Sequence, residues 1–225
     1  MIEVVFATRK SNEEFWSSAP LGKSLKRLKP PRKCVFRIWE RNETGLSEIY
    51  NQSIYAADPR ATLIFIHDDI WIDDNFFFER VLEGLNSFDI IGLAGSKVRY
   101  PNQLSWGFHT SEAGPIWKSE HTSGRVAHGL GHCGPITDWG PVPTEVVMLD
   151  GVLLAVKKEV LMRASVLFDP QFTFHLYDMD FSRAAILAGL RLGTWPISVT
   201  HESQGSFFSQ SWQEMYKLYL TKWGD

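Results

Sequence analysis

The amino-acid sequence predicts an α/β domain whose mostly parallel central sheet carries helices on both faces. Two observations lead to this fold class. In residues 1–96, short apolar runs rich in Val, Ile and Phe alternate with stretches of helical periodicity. The chain also has 225 residues, of which 44% are hydrophobic and 22% are charged, enough to bury the core of one large domain or two small ones.

Four apolar runs predict strands in the first half of the chain. They span residues 2–7, 34–40, 62–67 and 89–95. Ser11, with Glu14 three residues later, is a capping-box pattern that opens a helix after the first strand. Residues 46–57 place apolar side chains on one helical face, and residues 76–88 predict a further helix. Strands that alternate with helices imply a mostly parallel sheet.

The second half of the chain returns to regular structure at residue 146. Residues 146–161 predict a strand, an Asp-Gly turn, a second strand and a short helix, and residues 178–190 predict an amphipathic helix. A late strand ends at His201. In the tail 211–223, aromatic and apolar side chains form one stripe that we expect to dock on the domain. A partner or membrane surface is the alternative for this stripe, which also leaves room for a homodimer.

The segment between the two halves, residues 97–145, predicts no regular elements. It is rich in Gly, Pro, Trp and His, a composition typical of a functional or mobile loop. We interpret it as a loop that covers a substrate or forms a platform for one. Its fragment HGLGHC offers two histidines and a cysteine for zinc, but no second ligand cluster accompanies it, and its glycines disfavour the helix that would align the histidines.

Composition and charge exclude several classes of protein. The formal net charge is −3, whereas a nucleic-acid binder would show a basic stripe, so we expect no nucleic-acid partner. The basic cluster Lys23–Lys33 is interpreted as a solvated helix face and turn. The two cysteines give no disulfide framework. Because the N-terminus lacks a signal-peptide pattern and no apolar run approaches roughly 20 residues, we expect a soluble, cytoplasmic protein.

The stretch LIFIHDDIWIDD, residues 63–74, carries the strongest chemical signal. A buried-looking strand leads directly into His67, Asp68 and Asp69, and adjacent carboxylates repel each other unless a cation compensates them. The alternative is that these side chains are a solvated loop. Parallel sheets bind ligands at the carboxyl ends of their strands. Because Mn²⁺ and Mg²⁺ take carboxylate oxygens and Mn²⁺ also accepts imidazole, Asp69 and His201 could hold one such ion together with a diphosphate.

Six segments in a fixed order resemble the family 2 glycosyltransferases of the GT-A fold. They read VVFATRK, EIYNQSIYAA, FIHDDI, LDGVLLAVKKEVL, LFDPQFTFHLYDMDFSRAAILAGLRLG and VTHESQGSF. The resemblance is greatest to the short bacterial branch related to the streptomycin-biosynthesis glycosyltransferase domain. It implies a single domain over 1–225, with a nucleotide-binding half at 1–96, the loop region at 97–145, and an acceptor-side half with the C-terminal helix at 146–225.

The resemblance also implies roles for individual residues on the donor side. Asp69 matches the last Asp of the family's Asp-x-Asp motif and would bind the metal, with His201 as a second ligand. His67 falls on the first Asp of that motif and Asp68 on its variable place, so either could hold the ribose. Further contacts with the base or the ribose are implied at Thr8, Arg9 and Glu40.

On the acceptor side, Asp178 matches the carboxylate that acts as the general base in inverting members. Tyr177 stands where a Glu often precedes it, and Asp180 remains a rival for the same role. The alternative is that Asp178 and Asp180 have no catalytic role and only stabilise the N-terminal end of the helix that begins there. Asp150 could contact donor or acceptor, or be a turn residue. Three tryptophans are candidates to stack on sugars or to anchor the loop, namely Trp106, Trp117 and Trp139.

Together these features predict a metal-dependent glycosyltransferase. It would use Mn²⁺ or Mg²⁺ and move a sugar from a nucleotide-diphosphate donor, such as a UDP-sugar, to a hydroxyl of a saccharide, lipid-linked or small-molecule acceptor, with inversion. The alternative is a catalytically decayed module on the same fold that binds nucleotide or sugar without transfer.

Overall fold

The computed structural model describes residues 1–111, 114–203 and 207–224. Its strands are β1 Ile2–Ala7, β2 Cys34–Trp39, β3 Thr62–Ile66, β4 Ile70–Ile72, β5 Ile90–Gly92, β6 Ala94–Ser96, β7 Phe108–Ser111, β8 Gly114–Trp117, β9 Thr122–His128, β10 Ile136–Gly140, β11 Thr144–Val146, β12 Met148–Leu149, β13 Leu153–Lys157, β14 Leu192–Thr194 and β15 Val199–His201. Its α-helices are α1 Asn12–Ser18, α2 Pro20–Arg27, α3 Leu46–Ala56, α4 Phe77–Gly84, α5 Lys158–Ala164, α6 Tyr177–Leu187 and α7 Gln210–Trp223.

The central sheet has seven strands in the order β11-β14-β5-β13-β3-β1-β2. Five of them, β2, β1, β3, β5 and β14, run in one direction, while β13 and β11 oppose them. Helices α3, α5 and α6 contact strands of this sheet. The predicted α/β class with a mostly parallel central sheet is therefore confirmed.

A second sheet positions the site. Its strands follow the order β12-β6-β9-β15-β4, and β10 pairs with β9. Strand β15 runs antiparallel to β4, with His201 opposite Ile70, and parallel to β9, with His201 opposite His128. This register brings His201, at the end of β15, beside the turn that follows β3.

The expectation that residues 97–145 lack regular elements is wrong. Four strands, β7 to β10, lie within this segment, and β11 begins at its end; two of the four, β9 and β10, join the second sheet. Glycine within these strands conceals the strand pattern because it interrupts the run of apolar and β-branched residues. Gly124 of β9 is an example: its φ is +136°, and a Cβ atom there would lie 2.6 Å from the backbone of Ala94.

Two local interactions stand out in the first half. Ser11 and Glu14 form the complete capping box of α1, as predicted. The side-chain amide of Asn51 in α3 bonds the backbone: it donates to the oxygen of Phe168 at 2.7 Å and accepts from the nitrogen of Phe168 at 3.0 Å. This pair of bonds ties the segment before α6 to the first half of the chain.

The C-terminal stripe docks on the domain, as predicted. Trp212 and Tyr219 of α7 are buried, and other residues of the stripe pack against the core. The nitrogen of Trp212 donates to the Ser209 hydroxyl at 3.2 Å, which caps the start of the helix. Within the described part of the chain, no helix combines the length and the apolar character needed to cross a membrane.

Candidate metal and glycosyl-transfer site

Three possible metal ligands come together where β3, β4 and β15 meet. Asp69 follows β3, and its carbonyl oxygen accepts a hydrogen bond from the nitrogen of Glu202 at 3.1 Å, which fastens it to the end of β15. His201 consequently lies beside Asp69, with its Nε2 atom 3.3 Å from Oδ1 of Asp69. One ligand atom from each of His67, Asp69 and His201 lies within 4.8 Å of the other two.

Asp69 and His201 fit a divalent cation. Oδ1 of Asp69 and Nε2 of His201 are buried, and apart from their 3.3 Å contact with each other they have no hydrogen-bond partner among the described residues, a costly state unless something else binds them. In octahedral coordination at about 2.1 Å, neighbouring ligands lie about 3 Å apart, close to the 3.3 Å between these atoms. Burial raises the pKa of Asp69, but the imidazoles of His201 and His67 outweigh it and lower that pKa, which favours the carboxylate form that a metal needs.

His67 belongs to this cluster through its bond to Tyr177. Its Nε2 atom lies 3.0 Å from the Tyr177 hydroxyl, which itself donates to the oxygen of Gly151 at 2.8 Å. A phenol has one proton to donate, so Nε2 of His67 must carry the proton of their shared bond. The lone pair of the neutral His67 ring is then on Nδ1, which is the atom that could bind a cation. Burial lowers the pKa of His67, which favours the neutral form that can ligate.

A smaller cavity of about 400 Å³ holds part of the predicted nucleotide site. Its lining residues are Ala7, Thr8, Arg9, Asn42, Glu43, Thr44, Gly45, Leu46, Asp68, Thr173 and Phe174. Thr8, Arg9 and Asp68 are thus brought together as predicted for a nucleotide site. Burial raises the pKa of Asp68, and the nearby Thr8 hydroxyl counters part of that rise. The segment Asn42–Leu46 was missed because its polar residues read as an ordinary loop.

Two predicted nucleotide contacts lie outside the smaller cavity. Glu40 is not among its lining residues, and its Oε2 atom accepts a hydrogen bond from the nitrogen of Asn12 at 2.6 Å, at the start of α1. His67 lines the other cavity and belongs with Asp69 and His201. In the turn after β3, Asp68 therefore lines the smaller cavity, whereas His67 and Asp69 line the larger one.

The larger cavity, of about 550 Å³, contains the metal-ligand cluster and the predicted base. Asp178 lines it, and its carboxylate is held by two backbone donors: the nitrogen of Gly151 at 2.9 Å and the nitrogen of Met179 at 2.9 Å. Burial, followed by the charge of Asp150, raises the pKa of Asp178 to about 7. Asp150 lines the same cavity, and one of its oxygens accepts from the nitrogen of Val152 at 2.9 Å.

Asp180 is not brought to either cavity, which corrects the expectation that it rivals Asp178 as the base. Its side chain is 1% exposed and bonds Nζ of Lys222 at 2.7 Å and Nε1 of Trp223 at 2.9 Å, both in α7. Residues two apart on a helix face different sides. Asp178 and Asp180 therefore point to opposite neighbours, one to the cavity and one to the C-terminal helix.

The tryptophans divide in the same way. Trp106 and Trp139 both line the larger cavity and meet at nearly a right angle, with ring centroids 5.2 Å apart. Trp117 does not line it, and its Nε1 atom donates to the Thr122 hydroxyl at 2.9 Å, so it is an anchor of the β8–β9 connection. Further aromatic lining residues were not predicted, because their only signal in the sequence was the aromatic content of 13%: Phe108, Phe174, Phe207, Phe208 and Trp212.

Comparisons with known proteins agree with this picture. A family model described as a glycosyltransferase-like family matches residues 5–223. The crystal structure of GalNAc-T7 with UDP, GalNAc and Mn²⁺ is similar at a TM-score of 0.62 and 13% identity, over 100% of this chain and 48% of that one. The crystal structure of S. aureus TarS is similar at a TM-score of 0.53 and 12% identity, over 98% of this chain and 39% of that one. Curated protein sequences give no match.

The mixed sheet, with a ligand cluster at its edge and a cavity on either side, defines a GT-A nucleotide-sugar transferase fold, and the similar solved structures share that fold. The chain belongs to the glycosyltransferase-like family, because the family model matches it over nearly its whole length. The predicted family is thereby confirmed. The narrower streptomycin-related branch stays a prediction. The chain spans less than half the length of the two solved structures.

Proposed function

We propose that this chain transfers a glycosyl group from a nucleotide-diphosphate sugar, such as a UDP-sugar, to an acceptor hydroxyl, and that it uses Mn²⁺ or Mg²⁺. The observation that carries this proposal is the pair of buried atoms on Asp69 and His201 that have no hydrogen-bond partner beyond their contact with each other; both residues line one cavity, while Asp68 lines the other. The similar structure of GalNAc-T7 holds UDP and Mn²⁺, which supports the same choice of donor and ion.

The donor would lie across the turn formed by His67, Asp68 and Asp69. Thr8, Arg9 and Asp68 would bind the nucleoside in the smaller cavity. Asp69, His201 and Nδ1 of His67 would hold the cation next to the diphosphate. A divalent cation there supplies stabilisation of the negative charge that grows on the leaving diphosphate.

Asp178 would act as the general base. The acceptor hydroxyl loses its proton as it attacks the sugar carbon, and a carboxylate within hydrogen-bond reach can take that proton. A pKa of about 7 suits this task near neutral pH, because the ionised fraction is substantial and the carboxylate is more basic than an ordinary one. A base on the acceptor side favours direct displacement, and hence inversion.

Thermal unfolding with UDP and Mn²⁺ tests the donor and metal site. We expect UDP and Mn²⁺ together to raise the melting temperature by several degrees, because ligands that bind the folded state stabilise it. Asp69→Asn should abolish most of this shift. Asp138→Asn is the matched control, since Asp138 is an exposed carboxylate that pairs with Arg125 outside both cavities. A wild-type protein that shows no shift with either ligand would contradict the proposal.

The alternative function is a nucleotide-binding module without transfer. Two departures from the family pattern favour it: His67 at the place of an Asp and Tyr177 at the place of a Glu. Release of UDP from a donor sugar by the wild-type protein, and its loss in Asp178→Asn with UDP affinity retained, would support the enzyme. Binding of UDP with no release at any of the sugars tested would support the module.

A further inference from the structure

We propose that the larger cavity takes a neutral acceptor that carries an apolar ring or chain close to its reacting hydroxyl. This inference rests on the proposed function, since it concerns the second substrate of that same site. It follows from three features of the cavity: an aromatic wall, a rim of exposed phenylalanines, and a described lining without Lys or Arg.

The wall opposite the chemical groups is apolar. Trp106 and Trp212 are 8% and 5% exposed, Leu104 is also buried, and Trp139 meets Trp106 edge to face. All four line the cavity that also contains Asp178. A molecule whose hydroxyl reaches Asp178 would therefore place its remaining atoms against indole rings and aliphatic carbon.

The rim of the cavity extends this surface outward. Four phenylalanines line it and remain largely open to water, at 37% to 54% exposure: Phe108, Phe174, Phe207 and Phe208. Phe108 and Phe207 approach each other across the mouth, with ring centroids 6.4 Å apart. A clustered apolar surface of this kind marks a site that a ligand covers. Phenyl rings offer no strong hydrogen bonds, so a simple sugar would leave its hydroxyls poorly matched here.

Apart from the proposed metal site, the side chains that line the cavity argue against an anionic acceptor. Within the described ranges 1–111, 114–203 and 207–224, none of its lining residues is Lys or Arg. The residues outside those ranges contain no Lys or Arg either, as the sequence shows. Asp150 and Asp178 would repel a phosphate placed near the reacting hydroxyl. A neutral acceptor avoids this repulsion.

Binding of three small probes in the presence of UDP and Mn²⁺ tests the inference without knowledge of the donor sugar. Phenyl β-glucoside and methyl β-glucoside differ in the apolar group, and phenyl phosphate keeps the ring but adds charge. By isothermal titration calorimetry, we expect phenyl β-glucoside to bind about tenfold more tightly than the methyl compound, because burial of a phenyl group is worth at least that factor. Phenyl phosphate should bind more weakly than phenyl β-glucoside.

Two variants connect the binding to the rim. Phe207→Ser should lower the affinity for phenyl β-glucoside several-fold and leave the thermal shift with UDP and Mn²⁺ unchanged. Phe76→Ser, at a phenylalanine 65% exposed and outside both cavities, should change neither. Equal binding of the two glucosides, tighter binding of phenyl phosphate, or no binding of any probe would overturn the inference while the UDP shift persists. Loss of the UDP shift itself would instead contradict the proposed function.

Discussion

The metal corner and the aromatic wall of the larger cavity are built in different ways. The metal corner, formed by His67, Asp69 and His201, is held by strand register: β15 pairs with β4 and carries His201 to Asp69. The aromatic wall comes from short strands and connections, with Trp106 before β7, Trp139 in β10 and Trp212 in α7.

This difference separates chemistry from specificity. Of the three proposed ligands, His201 stands on the paired strand β15, and His67 and Asp69 stand in the short turn between β3 and β4, so paired strands fix the positions of all three. The residues proposed to select an acceptor stand on a connection, a short strand and the C-terminal helix, which can change without disturbing the central sheet. We therefore expect substitutions in the metal corner and at the base to abolish transfer, and substitutions in the wall to alter which acceptor is used.

The largest effect is expected at Asp178. Asp178→Asn keeps the size of the side chain but removes its basicity, and loss of a general base costs about 10²- to 10⁴-fold in rate. Transfer, or release of UDP from the donor, should fall by that factor in a steady-state assay. The melting-temperature shift with UDP and Mn²⁺ should persist because Asp178 lies outside the smaller cavity.

The pH profile provides the control for this assignment. As the proposed base, Asp178 would act in its ionised form, so with a pKa of about 7 the rate should rise about tenfold per pH unit below pH 7 and level off above it. The residual rate of Asp178→Asn should lack this rise. A wild-type rate that is flat between pH 5 and 8 would remove Asp178 from the role of base.

The sequence allowed a better prediction of which residues meet in the metal corner than of which rings form the aromatic wall, and the reason is physical. Strand β3 is an unbroken β-branched and apolar run, β1 is one apart from Glu3, and the ionisable group that follows β3 is a local pattern. The wall has no such pattern, since its rings lie on separate segments that pack together only in the fold. Family resemblance supplied the role of Asp178 and supported His201 as a ligand, but it offered no template for residues 97–145.

Asp180 and Glu40 show a second limit of the sequence. Asp180 fits the local pattern of an active-site acid, but its partners Lys222 and Trp223 lie more than 40 residues later in the chain. Glu40 follows β2 as a nucleotide contact would, but its carboxylate accepts from the nitrogen of Asn12. The hydrogen-bond partner of such a carboxylate depends on how elements distant in the sequence pack together. The residues next to the carboxylate in the sequence do not determine that packing.

An intermediate effect is expected at Tyr177, which supports the metal corner from behind. Tyr177→Phe keeps the ring among Tyr50 and Phe168 but removes the acceptor for Nε2–H of His67. Loss of a partner that orients a ligating histidine costs about 10- to 100-fold in metal affinity. Titration of Mn²⁺ followed by thermal unfolding measures this directly. Tyr55→Phe, at an exposed tyrosine, should leave the titration unchanged, and an unchanged titration in Tyr177→Phe would show that His67 does not ligate.

The smallest effect on transfer is expected at Lys222, which pairs with Asp180 on the face of α6 that points away from the cavity. Lys222→Met leaves the buried carboxylate of Asp180 without its cation, and removal of one partner of a buried pair destabilises a protein by several kcal/mol. Because Lys222 is partly exposed and Trp223 still donates to Asp180, we expect a loss of about 2 kcal/mol in the free energy of unfolding, measured with urea. The rate per folded molecule should be unchanged. If Lys222→Met instead lowered the rate at unchanged stability, the two faces of this helix would not be separate, and Asp180 would belong to the active site after all.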